Sequence, residues 1–372
     1  MEYLFYIFLF FLGYSYCLYP LLLYLISVVA KDPWDKEDLR PSVSIIISAY
    51  NEEAVIEEKI RNALALDYPD KLLEIIVSSD GSTDRTNEIV SEIKDPHIIL
   101  KAFERIGKTA CLNKVVPSAI GEIILFTDAN SMFPSDLLQK MVKNFVSSKV
   151  GLVTGSTKYQ GGEGGRATTS IYSKLEQWTK FRESLVSSCV GADGAIFAIR
   201  KYLYRPLKDS DINDFIIPLN VIRQGKRVVL DPNVICIEGE SKGAKQAYRR
   251  QVRITTRTLW AIRRNKEFIN IFNYGFFSFF IFSHKFLRLS VPFFFLSAFL
   301  LNLFILDESV FYIFSMFGFL SFIFLGLLNL VGLANCKMAS ICKYFLITFS
   351  AQFIGCLRMI GGIKDTTWAP QR

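Results

Sequence analysis

Residues 122–130 read EIILFTDAN, an apolar run that ends in the carboxylate of Asp128 and the carboxamide of Asn130. Nearly continuous apolar residues of this kind are typical of strands that are covered on both faces. Four further runs share the composition: VSIIISA (43–49), EIIVSS (74–79), HIILKAF (97–103) and VGLVTG (150–155). We therefore predict that the middle of the chain folds around one buried sheet.

Helical patterns separate these strand-like runs. EEAVIEEKIRNALAL (52–66) carries apolar residues at helical spacing, and STDRTNEIVSEI (82–93) opens with Ser, Thr and Asp, which favour a helix start. Alternating strands and helices predict an α/β domain with a parallel, right-handed, doubly wound sheet.

Polar residues follow three of the predicted strands. Asp80 and Asp128 end two of them, and the turn Tyr50-Asn51-Glu52 ends a third. Ligands of such sheets bind beyond the carboxyl ends of the strands. Three polar strand ends in one sheet are more than turn chemistry requires, so we predict a ligand site at this edge.

Two common nucleotide motifs are excluded. The dinucleotide fingerprint needs glycines after the first strand, where SAYNEEA has none. Gly107-Lys108-Thr109 resembles the end of a P-loop, but the position five residues before Gly107 is Ala102 rather than glycine. Lys108 remains a candidate phosphate ligand.

The chain is apolar at both ends. It is 51% hydrophobic and contains 33 Phe, and residues 3–30 carry no charge. A membrane span needs about 20 apolar residues, so this stretch is long enough. A cleavable signal peptide would begin with basic residues and have a shorter apolar core. Since the chain begins Met-Glu, we predict a retained N-terminal transmembrane helix over residues 1–30.

Three apolar runs follow near the other end, at 286–306, 309–333 and 344–362. The third fits less well because it contains Gln352 and Arg358, and the side on which the C-terminus lies is left open. The predicted organisation is a domain at 41–241, amphipathic interface helices at 242–285 and about three transmembrane helices at 286–372.

Charge suggests the orientation. Lys285 and Arg288 precede the first of these runs, and basic flanks prefer the cytoplasm, so the middle domain is predicted to be cytoplasmic. Residues 242–266 contain nine Lys or Arg and no Asp or Glu. Such a basic amphipathic helix beside a membrane span meets anionic lipid. The net charge of +8 is concentrated there, so we predict no nucleic-acid partner.

The seven cysteines are scattered without a Cys-x-x-Cys pair, and the chain has two histidines. A disulfide framework and a zinc site are therefore both disfavoured.

Six motifs in this order resemble the membrane-bound members of glycosyltransferase family 2. They are SAYNEE (48–53), SSDGSTD (78–84), RIGKTACLN (105–113), TDAN (127–130), GADGAIFAIR (191–200) and DSDINDF (209–215). The resemblance implies a GT-A fold (nucleotide-diphospho-sugar transferase, Rossmann-like) and an inverting enzyme related to polysaccharide synthases.

The resemblance also implies contacts with a nucleotide sugar. They fall on Ala49, Tyr50, Asn51, Glu52, Asp80, Gly81, Lys108, Asp128, Arg250 and Arg253. A carboxylate such as Asp80 suits the N–H of uracil, which favours a UDP-sugar. Asp128 matches the first residue of the family's Asp-x-Asp metal motif, and Asn130 stands in place of the second. An all-oxygen site of this kind suits Mg²⁺ or Mn²⁺.

The same resemblance selects a catalytic base. Asp214 opens FIIPLNVIRQG and precedes Gly225 by eleven residues, as the family's base does, which favours it over Asp209 and Asp211. Asn213 stands where the family usually has Glu. The alternative is that Asp214 only caps the helix. Asp193 is placed near the acceptor, with a simple turn residue as its alternative.

Processive relatives carry Gln-x-x-Arg-Trp, which aligns with RQVRI (250–254). Arg253 matches the arginine, whereas Arg250 replaces Gln and Ile254 replaces Trp. Trp260 lies one or two turns further on. Processive synthesis of a long polymer is therefore in doubt.

These observations predict a metal-dependent, inverting hexosyltransferase of the cytoplasmic membrane. It would move sugar from a UDP-sugar to a growing glycan or lipid-linked acceptor in polysaccharide or glycolipid synthesis. One alternative is a single-transfer enzyme acting on a membrane lipid. Another is a catalytically silent nucleotide-sugar-binding subunit, which Asn130 and Asn213 would suit.

Overall fold

The structure, a computed structural model, describes residues 1–160, 166–239 and 244–363. These residues form two compact units. An α/β unit contains residues 30–160 and 180–239, and a helical unit contains residues 1–29, 166–179 and 244–363. Residues 242 and 243, at the start of the predicted basic helix, lie outside the described residues.

The strands all belong to the α/β unit. They are β1 (Val43–Ala49), β2 (Leu73–Asp80), β3 (Ile98–Phe103), β4 (Ile123–Asp128), β5 (Ser131–Met132), β6 (Val150–Gln160), β7 (Ile196–Arg200) and β8 (Arg227–Gly239).

The main helices run along the whole chain. They are α1 (Glu2–Val29), α2 (Ile56–Leu64), α3 (Thr86–Glu92), α4 (Lys108–Ser118), α5 (Leu137–Val142), α6 (Arg166–Val186), α7 (Asn213–Arg223), α8 (Ala244–Arg264), α9 (Phe276–Leu303), α10 (Val310–Leu330) and α11 (Lys337–Ile360).

The first half of the sheet is parallel, as predicted. Its order is β3-β2-β1-β4, and β1 lies between two parallel partners, with Ile45 opposite both Ile75 and Leu125. Every residue of β1 and β2 is buried. The fully apolar sequence runs therefore correspond to central strands covered on both faces.

The second half of the sheet is mixed, which corrects the prediction of a parallel sheet. The order continues β7-β6-β8-β5, with β7 antiparallel to both β4 and β6, whereas β6 and β8 are parallel. Thr127 near the end of β4 pairs with Ile196 at the start of β7. The chain thus already lies at the carboxyl edge of β4 when β7 begins, so no crossover returns it to the opposite edge.

Helix α2 shows how the α/β core forms. Ile56, Ile60 and Ala63 recur at helical spacing on one face and are all fully buried against the sheet. The carbonyl of Glu52 accepts hydrogen bonds from the N–H groups of Val55 and Ile56, at 3.0 and 2.9 Å, and so starts the helix directly after the SAYNEE motif.

The helical unit contains four helices long and apolar enough to cross a membrane, namely α1, α9, α10 and α11. This confirms one apolar helix near the N-terminus and three in the C-terminal region, each longer than the roughly 20 residues that a bilayer span needs. Helix α9 begins at Phe276, ten residues before the predicted run. The helix includes His284, Lys285 and Arg288, which interrupt the apolar sequence pattern. Each of these side chains contacts the carboxylate of Glu176, which makes their place in an apolar helix tolerable.

The basic helix α8 packs closely against α11. A Cβ on Gly355 would lie 2.7 Å from the Cβ of Thr255, and the Thr256 hydroxyl donates to the Gly355 carbonyl at 3.2 Å. The amphipathic pattern therefore reflects packing within this unit as well as any contact with lipid. Gln352, which made the last run look poorly suited to a span, is buried in α11.

Candidate active site

The three polar strand ends meet at one edge of the sheet. Ser48 of β1 pairs with Asp128 of β4 on one side and with Ser78 of β2 on the other, two residues before Asp80. The first strand then leads into the Tyr50-Asn51-Glu52 turn. This confirms that the predicted polar ends are neighbours.

The first two motifs interlock through hydrogen bonds. The Asn51 N–H donates to the Ser82 hydroxyl at 3.1 Å, and the Asn51 side-chain oxygen accepts the Thr83 N–H at 2.8 Å. The Glu52 N–H donates to the Thr86 hydroxyl at 2.8 Å. Asn51 has φ of +53°, a left-handed conformation that asparagine tolerates better than most residues. Asn51 therefore shapes the turn, and its contact with a nucleoside stays a prediction.

Asp80 organises the loop that precedes α4. It is 3% exposed, and one carboxylate oxygen accepts the N–H groups of Ile106 and Gly107 at 2.9 and 2.8 Å. The other oxygen pairs with the guanidinium of Arg105, whose central carbon lies 3.4 Å from the ring centre of Tyr50. Sequence reasoning did not single out Arg105, although it begins the quoted RIGK segment.

Replacing Gly81 with alanine is expected to destabilise this loop. Gly81 has φ of +71°, and an added Cβ would lie 2.7 Å from the backbone nitrogen of Arg105. Strain of this kind is worth about 1–3 kcal/mol. We expect thermal unfolding to show a lower melting temperature and donor binding to weaken. Gly239→Ala is the control, because a Cβ there meets nothing within 4 Å. Equal melting temperatures for the two variants would contradict the prediction.

Lys108 and Asp128 form the polar floor of the site. Lys108 lies on the first turn of α4, and its ammonium lies 2.5 Å from the carboxylate of Asp128 at the end of β4. Beside them is a small cleft that is open to solvent. It is lined by Ser48, Ala49, Ser78, Asp80, Lys108 and Cys111. We call the turn of residues 128–130 the acidic turn. The Lys108 ammonium next to this turn suits a phosphate ligand, as the sequence predicted.

The donor set fits a hard divalent ion that is shared with phosphate. The Asp128 side chain is 28% exposed, and the Asn130 side chain is also exposed. Among the residues that the structure describes, no group of three or more His, Cys, Asp or Glu could hold a metal ion. An ion here would take most of its ligands from phosphate and water, as Mg²⁺ commonly does. The metal roles of both residues stay predictions.

A buried lysine lies beneath the acidic turn, and sequence reasoning missed it. Lys59 of α2 is 0% exposed, and its ammonium hydrogen-bonds the carbonyl of Ser131. The ring centre of Phe133 lies 3.4 Å from the same ammonium, and Ser131 also hydrogen-bonds the carboxylate of Glu238. Burial lowers the pKa of Lys59 to about 7, although nearby Cys236, Asp128 and Glu238 oppose the shift.

This lysine gives the stability of the α/β unit a pH dependence. Above pH 7 the folded chain has released the Lys59 proton while the unfolded chain, with the ordinary lysine pKa, still binds it. Stability therefore rises with pH from about 7 towards 10, by up to about 1.4 kcal/mol per pH unit, whereas below pH 7 both states bind the proton. We expect Lys59→Met to remove this rise in melting temperature between pH 7 and 9.

The exposed Lys71→Met variant is the matched control and should keep the rise. Parallel pH profiles for the Lys59 and Lys71 variants would contradict the assignment.

Asp214 lies in the first turn of α7 and is not its cap. Ile212 occupies the N-cap position, which corrects the alternative that Asp214 caps the helix. A Cβ on Gly194 would lie 2.9 Å from a carboxylate oxygen of Asp214, and the Ala192 N–H donates to the Asp214 carbonyl at 2.7 Å. The GADG loop and the predicted base are therefore in contact.

Register connects this contact with the acidic turn. Gly194 comes two residues before Ile196, which pairs with Thr127, the residue before Asp128. Asp128 and Asp214 thus flank the same short loop at one edge of the sheet. Their arrangement supports a shared cleft.

The loop before α7 is also fixed to α4. The Thr109 hydroxyl donates to the Asp211 carbonyl at 3.2 Å, and the Asn113 side chain both donates to and accepts from the backbone of Leu207, at 2.7 and 2.8 Å. The buried Asp211 accepts the Lys208 N–H at 2.9 Å, so it has a structural role in this turn. The side-chain nitrogen of Asn213 is buried without a hydrogen-bond partner in the described part of the chain.

Asp193 anchors the GADG loop to β6. One carboxylate oxygen accepts the N–H and the hydroxyl of Thr157, both at 2.9 Å, and the other accepts the Ala195 N–H at 3.1 Å. This is the turn role that the sequence left as an alternative, and the acceptor role stays a prediction.

Arg250 and Arg253 lie on α8, in the helical unit. Their contacts with a nucleotide sugar stay predictions. Trp260, the candidate stacking platform, donates its indole N–H to the Ile363 carbonyl at 2.9 Å within the same unit.

Comparison with known proteins agrees with this architecture. Residues 44–205 match the sequence model of the family described as Glycosyl transferase family 2. A mannosyltransferase from Pyrobaculum calidifontis, solved in complex with GDP-Man and Mn²⁺, superposes with a TM-score of 0.72 at 24% identity, covering 96% of this chain and 99% of that one. The likeness establishes the fold.

Two curated relatives match parts of the chain. Beta-monoglucosyldiacylglycerol synthase of Nostoc sp. is 40% identical over 118 residues, which are 30% of this chain and 25% of the relative. Poly-beta-1,6-N-acetyl-D-glucosamine synthase of Staphylococcus aureus is 27% identical over 215 residues, 55% of this chain and 52% of the relative. The chain therefore matches between a quarter and about half of the length of these proteins.

Proposed function

From the match of residues 44–205 to the sequence model of glycosyl transferase family 2, and from the fold shared with the mannosyltransferase structure, we propose that the chain is a membrane-integrated, inverting glycosyltransferase with the GT-A fold. It moves a hexose-type sugar from a nucleotide donor, with UDP as the proposed nucleotide, to a glycan or lipid acceptor. The observation that supports the proposal is the Lys108–Asp128 pair at the end of β4, beside strand β7, whose preceding loop contacts Asp214.

Donor binding uses the parallel half of the sheet. The interlocked turns at Asn51 and Gly81 border the nucleoside, and the buried Asp80 fixes the Arg105 loop beside it. Arg105 and Lys108 bring positive charge to the diphosphate. Because both are already held by carboxylates, these cations are oriented before the donor arrives.

A divalent ion, Mg²⁺ or Mn²⁺, would be held by Asp128 with help from Asn130, and it would neutralise charge on the departing diphosphate. The carboxamide of Asn130 contributes an oxygen without charge, so the site depends strongly on the phosphate oxygens of the donor. Lys108 supplies a second positive charge near the same oxygens.

Asp214 is the proposed general base. It takes the proton of the acceptor hydroxyl while that oxygen attacks the anomeric carbon, and the bond to the nucleoside diphosphate breaks on the opposite face. The carboxylate lies against the backbone at Gly194, where a side chain would occupy the space next to its oxygen. Glycine at this position leaves room for the acceptor beside the base.

A single transfer to a lipid or lipid-linked acceptor is favoured over processive synthesis. Ile254 replaces the stacking tryptophan, and the indole N–H of Trp260 is already used by the Ile363 carbonyl. The four apolar helices would anchor the enzyme in the cytoplasmic membrane, with the α/β unit on the cytoplasmic side.

The test is a donor panel. The full-length protein in detergent is incubated with UDP- and GDP-sugars, Mg²⁺ or Mn²⁺ and membrane lipid extract, and released nucleoside diphosphate is measured, followed by mass analysis of the product. The proposal expects one preferred donor and a product heavier by one sugar. No transfer with any donor would favour the silent nucleotide-sugar-binding subunit instead.

A further inference from the structure

The helical unit contains a cluster of ionisable side chains that the proposed reaction does not use. His284, Lys285 and Arg288 all lie on α9, one of the four apolar helices. Each contacts the carboxylate of Glu176 on α6, at 2.9 Å from the His284 ring nitrogen, 3.4 Å from the Lys285 ammonium and 2.5 Å from the Arg288 guanidinium. Ionisable groups within such helices are costly to bury and commonly mark functional sites.

Glu176 is charged in this cluster. Burial alone would raise the pKa of its carboxyl, but His284, Lys285 and Arg288 hold that pKa well below its ordinary value. The carboxylate is also shared, because Arg288 and His284 both contact the same oxygen. Glu176 therefore satisfies only one edge of the Arg288 guanidinium.

Two donor atoms of Arg288 lack a hydrogen-bond partner among the described residues, although Tyr172 hydrogen-bonds the same guanidinium and its ring centre lies 5.9 Å from the guanidinium carbon. Arg288 is 3% exposed, and its Nε and one Nη are buried without a hydrogen-bond partner. The hydroxyl of Tyr16 is likewise buried and unpartnered, and its ring centre lies 5.7 Å from the guanidinium carbon. Buried donors of a charged group that make no hydrogen bond are rare in native proteins and point to a missing ligand.

The geometry of these donors defines the ligand. The Nε and Nη groups of arginine form a fork that matches two oxygens of a carboxylate or phosphate, and a tyrosine hydroxyl adds a third donor. Lys285 and Glu176 have side chains 23% and 20% exposed, so the cluster reaches the surface of the unit. On a helix of membrane-spanning length and composition, the nearest abundant oxyanions are lipid phosphates.

We propose that Arg288, Lys285 and Tyr16 form a binding site for a phosphate group, supplied by the head group of a membrane lipid. Glu176 is a positioning residue that holds the inner edge of the guanidinium and leaves the Nε edge for the ligand. This site is separate from the sugar-transfer chemistry and belongs to the helical unit alone.

The experiment measures lipid retention by the full-length protein. The protein is purified in a neutral detergent, mixed with phosphatidic acid or with uncharged diacylglycerol, and analysed by native mass spectrometry. We expect retention of phosphatidic acid and none of diacylglycerol. Arg288→Gln should weaken retention by about tenfold or more, and Tyr16→Phe, which keeps the ring and its packing, by about threefold. Arg61→Gln, an exposed arginine on α2 in the α/β unit, is the matched control and should retain lipid normally.

Competition separates the two sources of phosphate. Displacement of phosphatidic acid by millimolar inorganic phosphate would support the phosphate site but assign it to a free anion. Resistance to inorganic phosphate would support the lipid. The proposal is overturned if neither phosphate source binds, or if phosphatidic acid binds equally to the parent and to both the Tyr16 and Arg288 variants. The Tyr16 variant decides the matter should Arg288→Gln fail to fold.

Discussion

Replacing Asp214 with asparagine is expected to lower the rate of sugar transfer by about 100- to 10,000-fold, the contribution of a positioned general base. Asparagine has nearly the same shape but takes up no proton from the acceptor hydroxyl. Since Asp214 lies against Gly194 and is not the cap of α7, the helix should start as before. Donor affinity, measured by titration calorimetry with UDP and Mn²⁺, should be unchanged.

Asp209→Asn is the matched control. Asp209 belongs to the same DSDINDF motif but has an exposed side chain, so transfer by this variant should be close to that of the parent. A parent-like rate for Asp214→Asn, or equal losses for both variants, would remove Asp214 from the reaction. A loss of rate together with lost donor binding would instead indicate a role in shaping the cleft.

Replacing Asp128 with asparagine is expected to lower transfer on the order of 1,000-fold. The substitution removes the one carboxylate of the acidic turn, and metal stabilisation of a leaving diphosphate is worth several kcal/mol. It also removes the ion pair that orients Lys108. Titration with Mn²⁺ in the presence of UDP should show weaker metal binding, which distinguishes this variant from Asp214→Asn.

The reverse change offers a sharper test of the same turn. Asn130→Asp restores two carboxylates, and because the Asn130 side chain is exposed, the substitution should not disturb packing. We expect Mn²⁺ affinity to increase about tenfold, since ligand charge sets the affinity of all-oxygen sites. Unchanged Mn²⁺ affinity in both variants would show that the turn holds no metal.

The parallel half of the fold could be predicted because its strands are buried on both faces. A short, continuous apolar run such as VSIIISA predicts a strand buried on both faces, and β1 begins and ends where this run does. Strand β7 was not predicted, since its sequence was recognised as part of a loop motif and five residues carry little periodic signal. Strand β8 contains Asp231, Pro232 and Asn233, a polar interruption that hid the strand.

The candidate site shows a similar division. Residues at strand ends, such as Asp80 and Asp128, were found because strand direction determines which ends meet. Arg105 and Lys59 were missed because their importance depends on long-range contacts, with Asp80 in one case and Ser131 in the other. A lysine on a helical pattern is ordinarily exposed, and nothing local to residue 59 indicates that its ammonium is buried.

Helix α2 contacts both the turn proposed to bind the nucleoside and the segment after the acidic turn. The Glu52 carbonyl accepts the hydrogen bonds that start the helix. The side chains of Lys59 and Asn62 donate hydrogen bonds to the carbonyls of Ser131 and Phe133, directly after the acidic turn. Helix α2, which is about two and a half turns long, therefore sets the distance between the proposed nucleoside and diphosphate pockets. A donor must therefore match this fixed spacing between nucleoside and diphosphate. Insertions into α2 should disturb both pockets together.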